Sequence, residues 1–168
     1  MTVSASASTQ NSGVIAPYGG TLVDLMVPAA EREAVKASAT TSLECSDRNA
    51  CDVELLVIGG FSPLRGFMHQ EDYDAVVAGH RTAAGQLFGL PIVMDTDRED
   101  VAIGDRILLT YKGQDLAVLE VQDKWEPNKV VEAKGCYGTT SLEHPAVRMI
   151  SMERRRFYRW KPPGSGAA

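Results

Sequence analysis

CDVELLVIGGFSPLRGFM, residues 51–68, joins a helix-like apolar run to a glycine-punctuated aromatic turn. Just upstream, Ser46 or Asp47 can cap a helix, because a short polar side chain there accepts one of the first unpaired amides. Cys51, Leu55 and Ile58 then recur at helical spacing, with Leu56 beside them, and predict the apolar face of that helix. Gly59 and Gly60 end it, since glycine past a helix terminus takes the left-handed conformation without a side-chain clash. Ser62 and Pro63 mark a tight turn or a new helical start. Phe61, Leu64, Phe67 and Met68 are too apolar for a solvated loop, so the turn is expected to pack against something.

Working outward, Pro28 to Ala39 reads as a helix with proline in its first turn, and Asp47 to Ile58 as a second. Gln70 to Ala78 reads as a third, acidic at its start and closed by Gly79. The pattern then changes to strands over Leu90–Met94, Arg106–Tyr111 and Leu116–Val121, with Lys112, Gly113, Gln114 and Asp115 as the connection between the last two. Pro127 and Asn128 break the strand pattern, and His144 with Pro145 opens a last helix toward Met152. Helices first and a small antiparallel sheet afterwards predict an α+β domain, a small β-barrel with N-terminal helices packed outside.

At 168 residues the chain is long enough for one core without metal or disulfide help. The net charge of −5 conceals an asymmetry: residues 1–147 carry 11 basic and 21 acidic side chains, residues 148–168 carry 6 basic and 1 acidic. The acidic body argues against a nucleic-acid binder, whose affinity comes largely from cations on phosphate. Residues 1–13 lack the features of a secretory signal and read as a disordered leader, and no apolar run is long enough to span a bilayer. A cytoplasmic location follows as an expectation. The odd cysteine count, Cys45, Cys51 and Cys136, predicts neither a disulfide framework nor a zinc site.

Motifs for chemistry do not assemble. Lys112-Gly113 reverses the end of a phosphate loop and lacks the preceding glycines. Asp95, Asp97, Glu99 and Asp100 begin like a calcium loop but lack its sixth-position glycine and closing glutamate, so they read as an acidic surface turn. Ser62 has Gly60 before it but Leu64 where a nucleophile elbow needs glycine. His69 reads as a surface or capping histidine and Cys136 as a buried structural thiol. No catalytic, cofactor-binding or metal-ligating residue is assigned.

Several separated segments, in order, resemble the N-terminal PUA-like domain of the ATP sulfurylase (sulfate adenylyltransferase) family. They are IAPYGGTL from Ile15 to Leu22, CDVELLVIGGFSPLRGFM itself, the set Asp72, Tyr73, Val76 and Val77, then GLPIVMDTD, LEVQDKWEPNK from Leu119 to Lys129, and GTTSLEHPAV from Gly138 to Val147. Tyr18 stands where many members have histidine, and Phe88 where some have tryptophan. The resemblance covers residues 14–153 and leaves 154–168 as an irregular basic tail.

The resemblance implies a PUA-like fold from a sulfate-activating enzyme, with Mg-ATP as cosubstrate of the full-length family. It also implies that the catalytic domain, with its glutamine-threonine-arginine-asparagine-like loop, HxGH-like pair and GRDHAG-like segment, is absent from this chain. The expectation is a truncated or separately encoded domain, not catalytic alone, whose partner is a catalytic domain in cis or in trans. Gly60, Phe61, Ser62, Pro63, Arg65, Gly66 and Phe67 are the candidate interface with that domain. The alternative is a stand-alone PUA-like module that binds RNA or a protein, with Tyr158 and Trp160 interleaved in the basic tail as its contacts.

Overall fold

The computed structural model describes residues 13–152 and the backbone of residues 156–161. The expected leader, apart from Gly13, and the residues after 161 lie outside the described residues. Five α-helices are described, α1 (Arg32–Ala37), α2 (Asp47–Val57), α3 (Gln70–Gly79), α4 (Lys129–Tyr137) and α5 (Pro145–Met152), with short 3-10 turns at Tyr18–Gly20 and Ala29–Glu31. The strands are β1 (Thr41–Glu44), β2 (Met94–Thr96), β3 (Arg106–Tyr111), β4 (Gln114–Trp125) and β5 (Arg156–Lys161).

The strands form one sheet in the order β1-β3-β4-β5-β2. β1 runs parallel to β3 and the remaining pairs are antiparallel, so the sheet is mixed where an antiparallel one was expected. The α+β class holds, but β1 and β2 are edges and do not pair, so the strand ladder does not close a barrel. A side chain spans the gap. Arg98, just after β2, donates from Nη1 to Thr41 Oγ1 at 3.0 Å and to the Ser42 carbonyl at 2.7 Å, both on β1. Asp100 holds the same guanidinium through Nε and Nη2, at 2.9 and 2.5 Å.

The β3–β4 hairpin turns at Lys112 and Gly113, both at positive φ (49° and 78°), as a two-residue turn between twisted strands requires. Ile107 and Leu109 of β3 are fully buried while their neighbours are partly exposed, the alternation of a strand with one face on a core. That core adds Leu43, Leu119 and Val121 from the sheet, Val53 and Leu56 from α2, and Phe67 from the turn that follows α2. A second cluster joins Tyr73, Val76 and Val77 of α3 to Met68, Val93 and Trp125.

Several sequence expectations are corrected. On α2 the buried residues are Asn49, Ala50, Val53 and Leu56, while Cys51, Leu55 and Ile58 face outward. Two apolar stripes wrap this helix, and Asn49, buried and donating to the Val93 carbonyl at 3.2 Å, selects the other one. Leu90–Met94 is mostly not a strand; β2 starts at Met94 and carries Asp95, which is buried rather than part of a surface turn. Gly79 does not close α3, because His80, at φ 55°, takes the left-handed cap position. β1 and α4 were not anticipated, and residues 156–161, read as irregular tail, run as a strand between β4 and β2. In that last case the aromatic and β-favouring run RFYRWK was the local signal, and pairing on both sides realises it.

Candidate functional site

The turn after α2 is built by the residues that the sequence singled out. Ser46 caps the start of α2, its Oγ accepting the Asn49 amide at 3.2 Å. At the other end Gly60 N–H donates to the Leu55 carbonyl at 2.7 Å and Gly59 N–H to that of Leu56 at 3.3 Å, with Gly59 at φ 83°. This is the double hydrogen bond of a Schellman cap, and it fixes the direction in which the chain leaves the helix.

A strap, residues 14–27, irregular but for one 3-10 turn at Tyr18–Gly20, lies against the turn after α2. Ser62 Oγ accepts the Val23 amide at 2.9 Å and donates to the Gly59 carbonyl at 2.7 Å, so one buried hydroxyl ties strap, helix cap and turn together. Leu25 N–H donates to the Val57 carbonyl at 3.0 Å. At Gly59 a Cβ would press on the Val23 carbonyl oxygen, and at Gly19 on the ring of Pro63, so glycine is required where strap and turn cross. Tyr18 anchors the strap's other end, its hydroxyl accepting the Leu87 amide at 2.7 Å and its ring lying edge-on to Phe88, with centroids 6.4 Å apart.

The seven candidate interface residues separate by burial. Ser62, Gly66 and Phe67 are buried within this domain, Phe61 and Pro63 are half-buried, and Gly60 and Arg65 are exposed. Outward-facing apolar side chains come instead from the strap and from the unburied stripe of α2. Ile15 is 91% exposed, Leu22 and Ile58 are each 60% exposed, Tyr18 52%, and Leu55 38%. These neighbours were missed as a surface because the α2 stripe reads equally well as a core face. The signal available was the density of apolar residues in a segment, 14–27, that has no strand or helix period.

Elsewhere the reactive side chains serve structure. His69 occupies the cap position of α3, where Asp123 of β4 accepts the Gln70 amide at 3.0 Å and lies 3.8 Å from the imidazole Nδ1. His80 Nδ1 is 3.1 Å from the Gly89 carbonyl, and the His144 ring packs against Tyr137 at 5.5 Å. Tyr73 of α3 donates to Glu132 of α4, buried to 3% exposure, at 2.8 Å, and burial followed by the Glu132 charge raises the phenol's pKa. The same two causes push the Cys136 thiol up to about 11, which disfavours the thiolate a nucleophile needs. Among the described residues no cluster of histidine, cysteine, aspartate and glutamate could hold a metal.

A cleft of about 360 Å³ opens between α1 and the β3–β4 hairpin, floored by Leu25, Val57, Leu116 and Val118. The Lys36–Asp115 ion pair, at 2.5 Å, crosses its mouth. Arg32 and Glu33 balance as well, so the cleft's lining favours neither anion nor cation. No described helix is long and apolar enough to cross a membrane.

Comparison with known proteins matches residues 15–158 to the PUA-like domain family. The sulfate adenylyltransferase of Phaeosphaeria nodorum is 40% identical over 152 residues, which is 84% of this chain and 26% of that protein. That of Neurospora crassa is 42% identical over the same shares. A probable bifunctional SAT/APS kinase of Sorangium cellulosum is 39% identical over 144 residues, covering 82% of this chain and 25% of the other. Among solved structures, a hexameric APS kinase from Thiobacillus denitrificans superposes with a TM-score of 0.63 at 27% identity, over 89% of this chain and 26% of its own. The chain thus spans about a quarter of the length of the relatives it matches. With strap, capped helix and packed turn in place, the chain belongs to the PUA-like domain family, in the form carried by sulfate adenylyltransferases.

Proposed function

We propose that this chain is the N-terminal, non-catalytic domain of a sulfate adenylyltransferase and that it works by docking on a catalytic domain, in cis or in trans. The full reaction joins ATP and sulfate into adenylyl sulfate and pyrophosphate, and it needs groups that stabilise charge on the reacting phosphorus. The described histidines sit at helix boundaries and the one half-buried thiol is held protonated, so no step of that chemistry is assigned to this chain.

One observation carries the reading. The strap and the outer stripe of α2 present Leu22, Leu55 and Ile58 to solvent beside a turn pinned to the core by Ser62, and Ile15 and Tyr18 are exposed farther along the same strap. Apolar side chains gathered next to a rigid turn mark a protein–protein contact more often than a free surface. Of the sequence-derived interface residues, the exposed Gly60 and Arg65 and the half-buried Phe61 and Pro63 belong to this surface. Ser62, Gly66 and Phe67 support it from within.

The small barrel expected of the fold is proposed in a weaker sense, with the Arg98 clasp standing where a last ladder would close the sheet. A cytoplasmic location is part of the same reading, supported by three free thiols.

The test is pyrophosphate release with Mg-ATP and sulfate, from this chain alone and mixed with the Phaeosphaeria nodorum enzyme lacking its matched quarter. Silence from the chain alone with turnover in the mixture is the expected result. Turnover by the chain alone would refute the reading.

A further inference from the structure

We propose that Arg65 is the charged contact of this docking surface, and that the partner domain places a carboxylate opposite it. The inference rests on the docking reading above and adds the chemistry of the partner.

Among the arginines and lysines of the described residues, Arg65 is the one without a hydrogen bond or ion pair. Arg32, Arg81 and Arg148 donate to backbone carbonyls, Arg48 and Arg106 face carboxylates, and Arg98 does both. The described lysines are engaged as well, Lys36 with Asp115, Lys112 with Asp47, and the other three with backbone carbonyls. Arg65 stands exposed on a segment whose neighbours on both sides are fixed. Three residues before it, Ser62 is locked between Val23 and Gly59. Three residues after it, Met68 is buried and its amide donates to the Ile92 carbonyl at 2.8 Å.

The physical consequence concerns what can cover this surface. A partner that packs on the strap and the turn strips water from the guanidinium, and a cation desolvated without an acceptor costs more than the apolar contact around it returns. The guanidinium's planar donors match a carboxylate in two parallel bonds. The pair then fixes the register of docking, while the apolar strap supplies most of the affinity.

The test compares Arg65→Gln and Arg65→Lys in two settings. One is the isolated 168-residue chain. The other is a chimera in which this chain replaces the matched 152 residues of the Phaeosphaeria nodorum sulfate adenylyltransferase. In the isolated chain, Arg65→Gln is expected to leave the thermal midpoint unchanged, because the side chain has no partner there. In the chimera it is expected to lower the midpoint by about 3 °C, with the difference fading near ~1 M salt and partly retained by Arg65→Lys. An unchanged chimera, or equal loss in both settings, overturns the assignment. Leu22→Asp in the same chimera separates the two readings. If it destabilises the chimera while Arg65→Gln does not, only the Arg65 assignment fails. If neither has an effect, or the parent chimera is inactive, the docking reading fails with it.

Discussion

Ser62 Oγ receives the amide hydrogen of Val23 across 39 residues of sequence, at 2.9 Å and out of contact with water. This bond holds the N-terminal strap on the turn after α2, so the strap's orientation depends on a residue far away in the chain. Ser62→Ala removes the acceptor and leaves the Val23 amide buried and unpaired. The expected loss is about 1–3 kcal/mol, read as a lower urea midpoint with an unchanged denaturant slope.

Two glycines next give opposite predictions. At Gly135 a Cβ would run into the backbone carbonyl of Val77, where α4 crosses α3, whereas at Gly79 nothing lies within 4 Å and the backbone needs no positive φ. Gly135→Ala is expected to destabilise by about 1–3 kcal/mol, because two helix backbones must separate. Gly79→Ala, in the last turn of α3, is expected to stabilise by up to about 1 kcal/mol. Thermal melts of both variants check the sign.

The α3–α4 contact is also expected to make stability fall at high pH. Burial and the Glu132 charge raise the Cys136 thiol to about 11 from 9.0, and the Tyr73 phenol rises above its ordinary 10.0 for the same reasons. A raised pKa means that the unfolded chain releases the proton first, so stability is whole below pH 9 and declines between about pH 9 and 11 as the thiol's contribution is lost, with the phenol's contribution declining from pH 10 upward. Cys136→Ala is expected to remove the lower part of that decline in urea titrations run from pH 8 to 11. At pH 8, iodoacetamide is expected to label the exposed Cys51 before the half-buried Cys136.

Arg98 joins the two unpaired edges of the sheet. Arg98→Ala is expected to cost about 1–2 kcal/mol and to speed amide exchange in β1. Arg98→Lys is expected to restore little, because a single ammonium cannot reach Thr41, Ser42 and Asp100 in the guanidinium's geometry. Hydrogen exchange on the three proteins distinguishes a clasp from a passive surface charge.

How far the sequence could be read depends on which forces act locally. The α2 cap at Ser46, the glycine stop, the β3–β4 hairpin and the start of α5 at Pro145 depend on residues within one turn of one another, and they fall where expected. The helix α2 carries two apolar stripes, and the choice between them is made by distant groups, the Val93 carbonyl among them, so the pattern alone selects the wrong face. β1 is four residues long and exists because β3 lies beside it. α4 begins with adjacent valines, Val130 and Val131, and contains Gly135, a weak helical signal stabilised by the Asn128 cap and by contact with α3. The packed turn was legible in its composition. That its apolar residues point mainly inward, while the strap supplies the outer surface, depends on the Ser62–Val23 bond, which has no trace in local sequence.

The most direct test of the docking surface is hydrogen exchange of residues 14–27 and of the end of α2, in the isolated chain and in the active Phaeosphaeria nodorum chimera. Amides near Ile15, Tyr18, Leu22 and Ile58 are expected to gain protection in the chimera, while those of the β3–β4 hairpin do not change. Equal exchange of the strap in both proteins would contradict the docking surface.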